Sequence, residues 1–502
     1  MTDGENATPD VAAQYKMYID GLWVESETGE EFDDLNPASE ESIGKFPKGN
    51  EQDVSKAVDA AEAALRGWSE TPAPTRGKVV LKVAALLGQL KEFLAREITL
   101  EMGKVLLESR GEVQEAIDMA EYMAGEGRRL LGSTTTSELK DKFAMTVRRP
   151  IGVVGLISPW NFPISIPAQK MFPALVCGNT VVFKPSSDSP RCGVRLVEML
   201  EKAGVPKGVV NLVTGSGDSV GMPLVRHRKV RAISFTGNRD TGAEILKNAG
   251  IKRVGLELGG KNGTIVMDDA DVDSALEGVL WGGYGTTGQR CTATSRAIVH
   301  KDVFKQFEEK LVERVRKLKL GNGLDPETDV GPLVNKAALE KSRRYVEIGL
   351  GEGAKILCGG KAPARKGFFF EPTLFTECTA DMKVVQEEIF GPVVCLLRVA
   401  DFDEAIDAIN SVEYGLSASV YTSNARVMFK AIERIEAGVV YVNAPTIGAE
   451  PHLPFGGVKQ SGTTREGGIE GLLEFSETKT VYVDYSGKLQ RAQIDVEPHE
   501  GR

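Results

Sequence analysis

The stretch from residue 151 to residue 250 decides the fold, because short β-branched runs alternate in it with helical runs. It reads IGVVGLIS (151–158), IPAQKMFPALVCG (166–178), TVVFKPS (180–186), CGVRLVEMLEKAG (192–204), VVNLVTG (209–215), VRAISFTG (230–237) and TGAEILKNAG (241–250). This alternation predicts a parallel sheet with right-handed crossovers. A second strand–helix series begins at KNGTIVM (261–267) and runs past residue 420. The predicted fold class is therefore α/β, with two parallel-sheet domains.

The flanking segments add a hairpin, long helices and a late strand. KMYIDGLWVE (16–25) alternates apolar and polar residues around Asp20-Gly21, which is a hairpin signal. VSKAVDAAEAALRGW (54–68) and GKVVLKVAALLGQLKEFLAREITLEMGK (77–104) repeat apolar residues at helical spacing. ETKTVYVDYSG (477–487) predicts a strand that pairs outside the main sheets. A chain of 502 residues exceeds what one hydrophobic core supports, so two or three domains are expected.

Composition excludes several classes of function. The net charge of −10 argues against broad nucleic-acid binding, which needs a basic surface. Six dispersed cysteines without a CxxC pair favour a reducing compartment, and the N-terminal residues 1–16 read as a polar tail without a targeting signal. No 18-residue apolar run predicts a membrane span, and the four histidines have no metal-ligand spacing. We therefore expect a soluble, cytoplasmic protein without a metal site.

The turns after the predicted strands carry candidate binding residues, because open parallel sheets bind ligands beyond the carboxyl ends of their strands. Gly215-x-Gly217-x-x-x-Gly221 follows one strand and opens a helix, and Gly237 follows the next strand. A helix N-terminus with free backbone N–H groups is suited to a phosphate, although glycine after a strand is more often a simple turn. Lys184 ends the strand TVVFK, where it would hold a ribose or phosphate or would point into solvent.

Three further residues are candidates for chemistry. Cys291 lies in the glycine-rich stretch YGTTGQRCTAT beside Arg290, and a neighbouring cation lowers the pKa of a thiol. Glu257 ends an apolar strand in VGLELGGKN, and such surroundings raise a carboxyl pKa toward that of a general base. Asn161 in SPWNFP would donate to a developing oxyanion, or would only form a turn. No GxSxG or P-loop motif is present, which weakens hydrolase and phosphoryl-transfer interpretations.

Together these stretches resemble the aldehyde dehydrogenase superfamily over residues 17 to 490. The motifs that carry the resemblance, in the family's order, are PWNFP (159–163), FTG (235–237), LELGGKN (256–262), GQRC (288–291), EEIFGP (387–392) and PFGGVKQSG (454–462). The resemblance implies a Rossmann-type coenzyme domain over 17–127 and 149–258 and an α/β catalytic domain over 259–455. It also implies a small β bridging element over 128–148 and 470–490 that joins subunits into homodimers or homotetramers.

The resemblance also implies a role for each matching residue. Cys291 is similar to the nucleophile, Asn161 and the Cys291 backbone N–H to the oxyanion hole, and Glu257 to the general base. The implied mechanism is addition of the thiolate to an aldehyde, hydride transfer to a nicotinamide, and hydrolysis of a thioester. The implied cofactor-binding residues are Trp160, Lys184, Ser187, Gly217, Gly237, Asn238, Glu388 and Phe390. The implied substrate-binding residues are Phe162, Arg290 and Phe455.

Two departures from the family pattern concern the cofactor. Many members that prefer NAD have a glutamate three residues after the lysine of the KPS motif, where this chain has Ser187. Because a glutamate would repel a 2′-phosphate and a serine would not, NADP is expected to be accepted and preferred over NAD. Asn238 follows FTG where serine is common, which leaves the pyrophosphate contact open.

For the substrate, Arg290, the loop NAPTIGAEPHLPFGG (443–457) and VYVDYSGKLQRAQID (481–495) resemble the branch that oxidises 2-oxoglutarate semialdehyde, also named 2,5-dioxopentanoate. A semialdehyde needs a cation for its distal carboxylate, and Arg290 is the candidate, unless it serves only structure or the thiolate. Succinate semialdehyde, aminoadipate semialdehyde and glyceraldehyde stay open as substrates. Two rival hypotheses are a CoA-acylating relative and a catalytically silent binding or structural protein on the same scaffold.

Overall fold

A computed structural model describes residues 13–496. The predicted polar tail over residues 1–16 therefore lies mostly outside the described residues. The strands are β1 Met17–Ile19, β2 Leu22–Val24, β3 Glu31–Asn36, β4 Glu41–Pro47, β5 Thr134–Thr136, β6 Lys142–Pro150, β7 Val153–Ile157, β8 Thr180–Lys184, β9 Val210–Leu212, β10 Val230–Thr236, β11 Arg253–Glu257, β12 Asn262–Val266, β13 Thr294–His300, β14 Lys355–Cys358, β15 Thr373–Thr376, β16 Val393–Val399, β17 Tyr414–Gly415, β18 Ser417–Tyr421, β19 Val439–Val442, β20 Val458–Lys459 and β21 Ser476–Asp484.

Fifteen α-helices lie within residues 13–496. They are α1 Glu51–Glu70, α2 Ala73–Gln89, α3 Lys91–Met102, α4 Leu106–Glu126, α5 Ser165–Cys177, α6 Pro190–Ala203, α7 Met222–Arg226, α8 Arg239–Asn248, α9 Val272–Tyr284, α10 Lys301–Lys317, α11 Lys336–Gly351, α12 Lys383–Gln386, α13 Phe402–Asn410, α14 Ala425–Arg434 and α15 Gly468–Glu474. None of the helices between residues 13 and 496 combines the length and the apolar character that crossing a membrane requires.

The first sheet is mostly parallel, in the order β11-β10-β7-β8-β9-β1-β2. The five neighbouring strands from β11 to β9 pair in parallel, and the predicted hairpin β1–β2 extends the other edge, antiparallel to β9 through Tyr18 and Leu212. Val181 and Phe183 of β8 pack into one hydrophobic core, whereas Val182 between them packs into another. Because successive residues of a strand face opposite sides, both faces of this sheet are buried.

The second sheet has the order β14-β15-β16-β13-β12-β18-β19, and only its edge strand β14 is antiparallel. These observations confirm the predicted α/β fold class with its parallel sheets. The late strand β21 pairs with β6 over nine residues, from Ser476 opposite Pro150 to Asp484 opposite Lys142. With β5 these two strands form a small third sheet outside the other two.

Two predicted helices differ in the structure. The apolar repeat over 77–104 forms α2 and α3 rather than one helix, because Leu90 leaves the helical conformation with φ −107° and ψ 14°. The glycine-rich turn opens a single π-helical turn, Gly217–Gly221, followed by the short helix α7. Ser216 caps this turn by accepting from the Ser219 backbone N–H, so the turn satisfies its own backbone donors.

Candidate active site

Cys291 lies between two cavities that meet at its side chain. One cavity has a volume of about 600 Å³ and is also lined by Glu257, Arg290 and Phe455. The other has a volume of about 550 Å³ and is also lined by Lys184 and Glu388. We name the first the substrate cavity and the second the cofactor cavity, from the residues that sequence analysis assigned to each. A group bound in either cavity would therefore reach the same sulfur atom.

The loop before Cys291 is held in an unusual backbone conformation. Thr286 and Thr287 have φ values of 53° and 59°, in the left-handed region that non-glycine residues seldom adopt. The buried carboxylate of Glu108 accepts hydrogen bonds from the Thr286 backbone N–H and from its hydroxyl. The Thr287 hydroxyl donates to the carbonyl of Gly331 at 3.0 Å. These contacts fix the path of the chain into the cavity.

The pKa of the Cys291 thiol is raised above its ordinary value. Burial is the main cause that raises its pKa to about 12, and the nearby carboxyls of Glu257 and Glu388 add to the shift. The expectation that Arg290 lowers this pKa is wrong in the structure. The Arg290 Nε donates to the Thr286 hydroxyl at 2.8 Å, and its Nη2 lies 3.4 Å from the Glu108 carboxylate. The guanidinium is thereby directed to other partners, and a base is needed to ionise the thiol.

Glu257, the residue that the sequence predicts for this role, ends β11 and is 2% exposed. Neither of its carboxyl oxygens has a hydrogen-bond partner within residues 13–496. Burial is the main cause that raises its pKa well above the usual value, with the Glu466 charge as the second cause. An ideal Cβ on Gly456 would contact the Glu257 Oε1, so the glycine of PFGG makes room for this carboxyl group. A buried, unpartnered carboxyl group with a raised pKa, lining the same cavity as Cys291, is suited to exchange a proton with the thiol or with water.

Lys170 of α5 places a positive charge close to the carboxyl groups of Glu257 and Glu466. Its buried ammonium group donates to the Ser234 hydroxyl at 3.1 Å and forms an ion pair with Glu466. The positive charge of Lys170 opposes the rise in the pKa of Glu257. Lys170 and Glu466 therefore shift the pKa of Glu257 in opposite directions, in addition to the larger effect of burial.

Asn161 lies in the loop between β7 and α5 and is 2% exposed. Its side-chain Nδ2 donates to the Gln289 carbonyl at 3.0 Å, two residues before Cys291. The Lys104 ammonium donates to the Asn161 carbonyl at 2.7 Å and pairs with Glu112, also at 2.7 Å. The amide donor is thus held against the cysteine loop, where an oxyanion on a carbon bound to the sulfur would receive it.

The paired glycines after Glu257 have a steric cause. An ideal Cβ on Gly259 would collide with the Glu388 carboxylate, and one on Gly260 would collide with the Cys291 carbonyl. The Gly260 backbone N–H donates to the Glu388 Oε1 at 2.9 Å, and the Asn262 amide donates to the Cys291 carbonyl at 2.7 Å. The LELGGKN segment therefore brings the cysteine loop and the Glu388 segment into direct contact.

The cofactor cavity contains most of the residues that were predicted for it. The predicted residues that line it are Trp160, Lys184, Gly217, Gly237, Asn238, Glu388 and Phe390. Trp160 and Phe390 meet edge to face with ring centroids 5.4 Å apart. The Asn238 side chain accepts from the Thr241 backbone N–H at 2.8 Å and thereby caps α8. Its amide oxygen is engaged in the cap, which leaves its nitrogen for a ligand.

Ser187 differs from the other predicted cofactor residues. Its hydroxyl donates to the Gly215 carbonyl at 2.9 Å, and its side chain does not line the cavity. The neighbouring Asp188 lines the cavity instead and accepts from the Asn335 amide at 3.0 Å. The carboxylate nearest to the cavity at this turn is therefore one residue further along than the family pattern indicates.

The cavity fits a nicotinamide dinucleotide. The ammonium of Lys184 is buried, and its single hydrogen bond within the described residues goes to the Pro185 carbonyl at 2.9 Å. Burial lowers the pKa of Lys184 to about 8. Glu388 offers a free Oε2 and Asn161 a free Oδ1. A buried cation with spare donors suits ribose hydroxyls or a phosphate, and the unpaired acceptors suit ribose or amide N–H groups.

The substrate cavity holds the three residues predicted for it, Phe162, Arg290 and Phe455. The Arg290 guanidinium lies 5.5 Å from the Phe162 ring centroid and 5.0 Å from that of Trp281. The cavity also contains polar residues that the sequence reasoning missed, among them Glu115 and Gln169. Glu115 lies within α4 and Gln169 within α5, where helical spacing alone does not identify a cavity wall. Lys170 of α5 was missed for the same reason, and Lys104, between α3 and α4, carries no motif that marks it.

Comparison with known proteins agrees with this site. Residues 23–481 match the Aldehyde dehydrogenase family. The chain is 44% identical over 479 residues to an alpha-ketoglutarate semialdehyde dehydrogenase of Haloferax volcanii, covering 94% of this chain and 99% of the relative. It is 43% identical over 467 residues to a 2,5-dioxopentanoate dehydrogenase of Saccharolobus solfataricus, covering 92% and 97%.

The fold also matches solved structures of the same family. A betaine aldehyde dehydrogenase from Staphylococcus aureus in complex with NAD+ superposes with a TM-score of 0.93 at 38% identity, covering 95% of this chain and 96% of that chain. The predicted resemblance, enzyme class and use of a nicotinamide cofactor are confirmed by these matches. The chain belongs to the aldehyde dehydrogenase family and is an NAD(P)-dependent oxidoreductase.

Proposed function

We propose that this enzyme oxidises 2-oxoglutarate semialdehyde to 2-oxoglutarate without CoA. The observation that carries the proposal is the position of Cys291, which borders both cavities beside Glu257 and the Asn161 amide. The relatives named for this substrate, at 43% and 44% identity, support the choice of aldehyde. The Arg290 guanidinium at the cavity wall supplies a cation for the distal carboxylate.

The proposed chemistry begins with Glu257 as a proton acceptor. In its ionised form it takes the proton of the Cys291 thiol, and the thiolate adds to the aldehyde carbon. The Asn161 Nδ2 and the Cys291 backbone N–H donate to the oxygen of the resulting thiohemiacetal. A nicotinamide dinucleotide, when bound, would supply the hydride acceptor, and the residues that would hold it are Trp160, Lys184, Gly217, Gly237, Asn238, Glu388 and Phe390.

The second half of the proposed cycle is hydrolysis. Once Glu257 has released the thiol proton to solvent, it takes a proton from a water molecule, the hydroxide adds to the thioester carbon, and the C–S bond breaks to release the acid and the Cys291 thiolate. An unpartnered carboxyl with a raised pKa is suited to this second proton transfer. Its presence favours water over CoA as the acceptor, and a requirement for CoA in product formation would reverse this conclusion. An absence of cofactor reduction with every aldehyde would favour the silent binding protein.

We also propose NADP as the preferred cofactor, because Ser187 places no charge where a glutamate would repel a 2′-phosphate.

The proposed domain division keeps the boundaries stated above for the coenzyme, catalytic and bridging parts. We further propose a cytoplasmic homodimer or homotetramer. The six cysteines of the chain are free thiols, which supports a reducing compartment, and the bridging sheet of β5, β6 and β21 offers an exposed antiparallel face for a second subunit.

Initial rates of NADPH and NADH formation test this proposal. The aldehydes are 2-oxoglutarate semialdehyde, succinate semialdehyde, betaine aldehyde and propanal, each with both cofactors and without CoA. We expect the highest kcat/KM with 2-oxoglutarate semialdehyde and NADP. A higher value for betaine aldehyde or propanal would overturn the substrate, and a higher value with NAD would overturn the cofactor preference.

A further inference from the structure

The substrate cavity carries more acidic than basic side chains, which is unexpected for an anionic aldehyde. Its carboxyl groups belong to Glu115, Asp118, Glu257, Glu450 and Glu466, whereas its basic side chains within the described residues are Arg290 and His452. The Arg290 charge is already shared with Glu108 at 3.4 Å. A distal carboxylate that relied on Arg290 alone would meet a guanidinium that is partly neutralised.

Most of these acids have a partner of their own. Glu466 pairs with Lys170, Glu450 lies 3.5 Å from His452, and the Asp118 carboxylate accepts from the Gln114 amide at 2.7 Å. Besides the base Glu257, this leaves Asp118 and Glu115 of α4 without a cationic partner in the cavity, and Glu115 is the one that contacts α5. Its Oε1 accepts one hydrogen bond, from the Gln169 Nε2 at 2.6 Å. Among residues 13–496 the Gln169 amide makes only this hydrogen bond, so a second N–H is available.

We propose that Glu115 and Gln169 form a second recognition site for the distal carboxylate of the substrate, in which the Glu115 carboxyl group donates a hydrogen bond to it. The pair lies on facing helices, α4 and α5, and both side chains line the substrate cavity. The Gln169 amide donates through its second N–H, while its first N–H holds the Glu115 carboxyl in place. This inference rests on the proposed function, because it concerns the charge of the same aldehyde.

The surroundings of Glu115 favour the neutral carboxyl. Burial is the main cause that raises its pKa to about 7, and the Glu112 carboxylate one turn before it on α4 adds to the shift. Lys104, Arg290 and Ser165 act in the opposite direction. Tyr441 of β19 lies nearby, and Asp118, Glu450 and His452 complete the titratable groups along this side of the cavity. A carboxyl with this pKa donates below neutral pH and repels a carboxylate above it.

Selectivity should therefore change with pH. We expect kcat/KM for 2-oxoglutarate semialdehyde, divided by kcat/KM for propanal, to fall about tenfold between pH 6 and pH 8, since the protonated fraction of a group with a pKa near 7 falls by about that factor. The ratio removes the titrations of Cys291 and Glu257, because both aldehydes need them equally. A ratio that stays constant over this range would overturn the proposal.

Three variants separate the proposed role from a structural one. Glu115→Gln keeps an N–H donor but does not titrate, so its ratio should be independent of pH. Glu115→Ala should lower the ratio about tenfold at pH 6, by removing one charge-assisted hydrogen bond. Glu121→Gln, an exposed carboxyl of the same helix, is the matched control and should behave as the wild type. Thermal unfolding identifies any variant that does not fold, and the pH profile of Glu115→Gln then decides the question.

The outcomes also distinguish this inference from the proposed function. If the semialdehyde is the best substrate at pH 6 but its advantage over propanal does not change with pH or with Glu115→Gln, only the Glu115 proposal fails. If betaine aldehyde is the best substrate and Glu115→Gln weakens its use, Glu115 is an anionic partner of a cationic aldehyde and both proposals fail. A higher ratio in Glu115→Gln than in the wild type at pH 6 would likewise show repulsion instead of donation.

Discussion

The two cavities that meet at Cys291 are built in different ways. The cofactor cavity is formed by turns that follow parallel strands, so its residues occur in short motifs such as KPSSD and FTGN. The substrate cavity is formed by side chains of α4 and α5 and by the loop after β19, which are far apart in sequence. The difference indicates that cofactor chemistry is constrained by local backbone geometry, whereas aldehyde selectivity depends on side chains that helices position individually.

The largest expected effect comes from Cys291→Ala, which removes the atom that both cavities share. We expect kcat to fall by at least about 10⁴-fold with every aldehyde and with both cofactors, since no covalent intermediate forms. Cofactor binding, measured by quenching of tryptophan fluorescence, should persist. Cys358→Ala, which replaces a half-buried thiol outside both cavities, is the control and should retain activity. Substantial turnover by Cys291→Ala would show that Cys291 is not the reacting atom that the two cavities share.

Glu257→Gln should produce the next largest effect, because it affects both proton transfers. We expect steady-state turnover to fall by about 10³-fold through loss of general-base catalysis. In the wild type, the pKa of Glu257 is raised by burial, so the carboxyl is protonated at low pH and the rate should increase as pH rises and the base ionises. This increase should disappear in Glu257→Gln, as pH-rate profiles would show. The exposed Glu244→Gln of α8 is the control, and an unchanged profile in Glu257→Gln would assign the base to another group.

Arg290→Met tests the substrate cavity alone. We expect kcat/KM for 2-oxoglutarate semialdehyde to fall about 30-fold, because a charged hydrogen bond to the carboxylate is lost, while the KM for the cofactor stays constant. The value for propanal should change much less, since propanal has no carboxylate. Equal losses for both aldehydes would mean that Arg290 acts by fixing Thr286 and the cysteine loop. Thermal unfolding would reveal whether the Glu108 carboxylate, left without this cation, destabilises the fold.

Lys184→Met tests the cofactor cavity alone. The buried ammonium has one hydrogen bond within the described residues, to Pro185, so most of its donor capacity is available to the cofactor. We expect the KM for NADP to rise about tenfold through loss of a charged hydrogen bond, with no change in the preference among aldehydes. Lys202→Met in the last turn of α6 is the matched control, because that lysine is exposed. A change in aldehyde preference in Lys184→Met would show that the two cavities are coupled.

The same contrast between local motifs and long-range contacts explains which features could be predicted from the sequence. The strand–helix alternation predicted both parallel sheets and the segment ETKTVYVDYSG predicted the late strand, because hydrophobic patterning and β-branched runs report directly on local structure. The continuous apolar repeat did not predict the break at Leu90 between α2 and α3. The position of Arg290 next to Cys291 in the sequence suggested the wrong influence on the pKa of the thiol. In the structure Arg290 turns toward Glu108, and burial together with Glu257 raises that pKa. Long-range contacts of this kind, such as Lys104 with Asn161, leave no trace in local spacing.

The smallest expected effect concerns Ser187, where the family pattern and the structure differ. Ser187→Glu should lower kcat/KM with NADP about fivefold relative to NAD, because a carboxylate near the ribose repels a 2′-phosphate and attracts ribose hydroxyls. The effect is modest since Asp188 already lines this part of the cavity and the wild-type serine hydroxyl is directed to Gly215. Ser187→Ala removes the hydroxyl without adding charge and should keep the wild-type ratio. If Ser187→Ala alone shifts the ratio of kcat/KM with NADP to kcat/KM with NAD, the Gly215 turn controls cofactor choice. Asp188→Asn would then be the variant that identifies the charge near the 2′-phosphate.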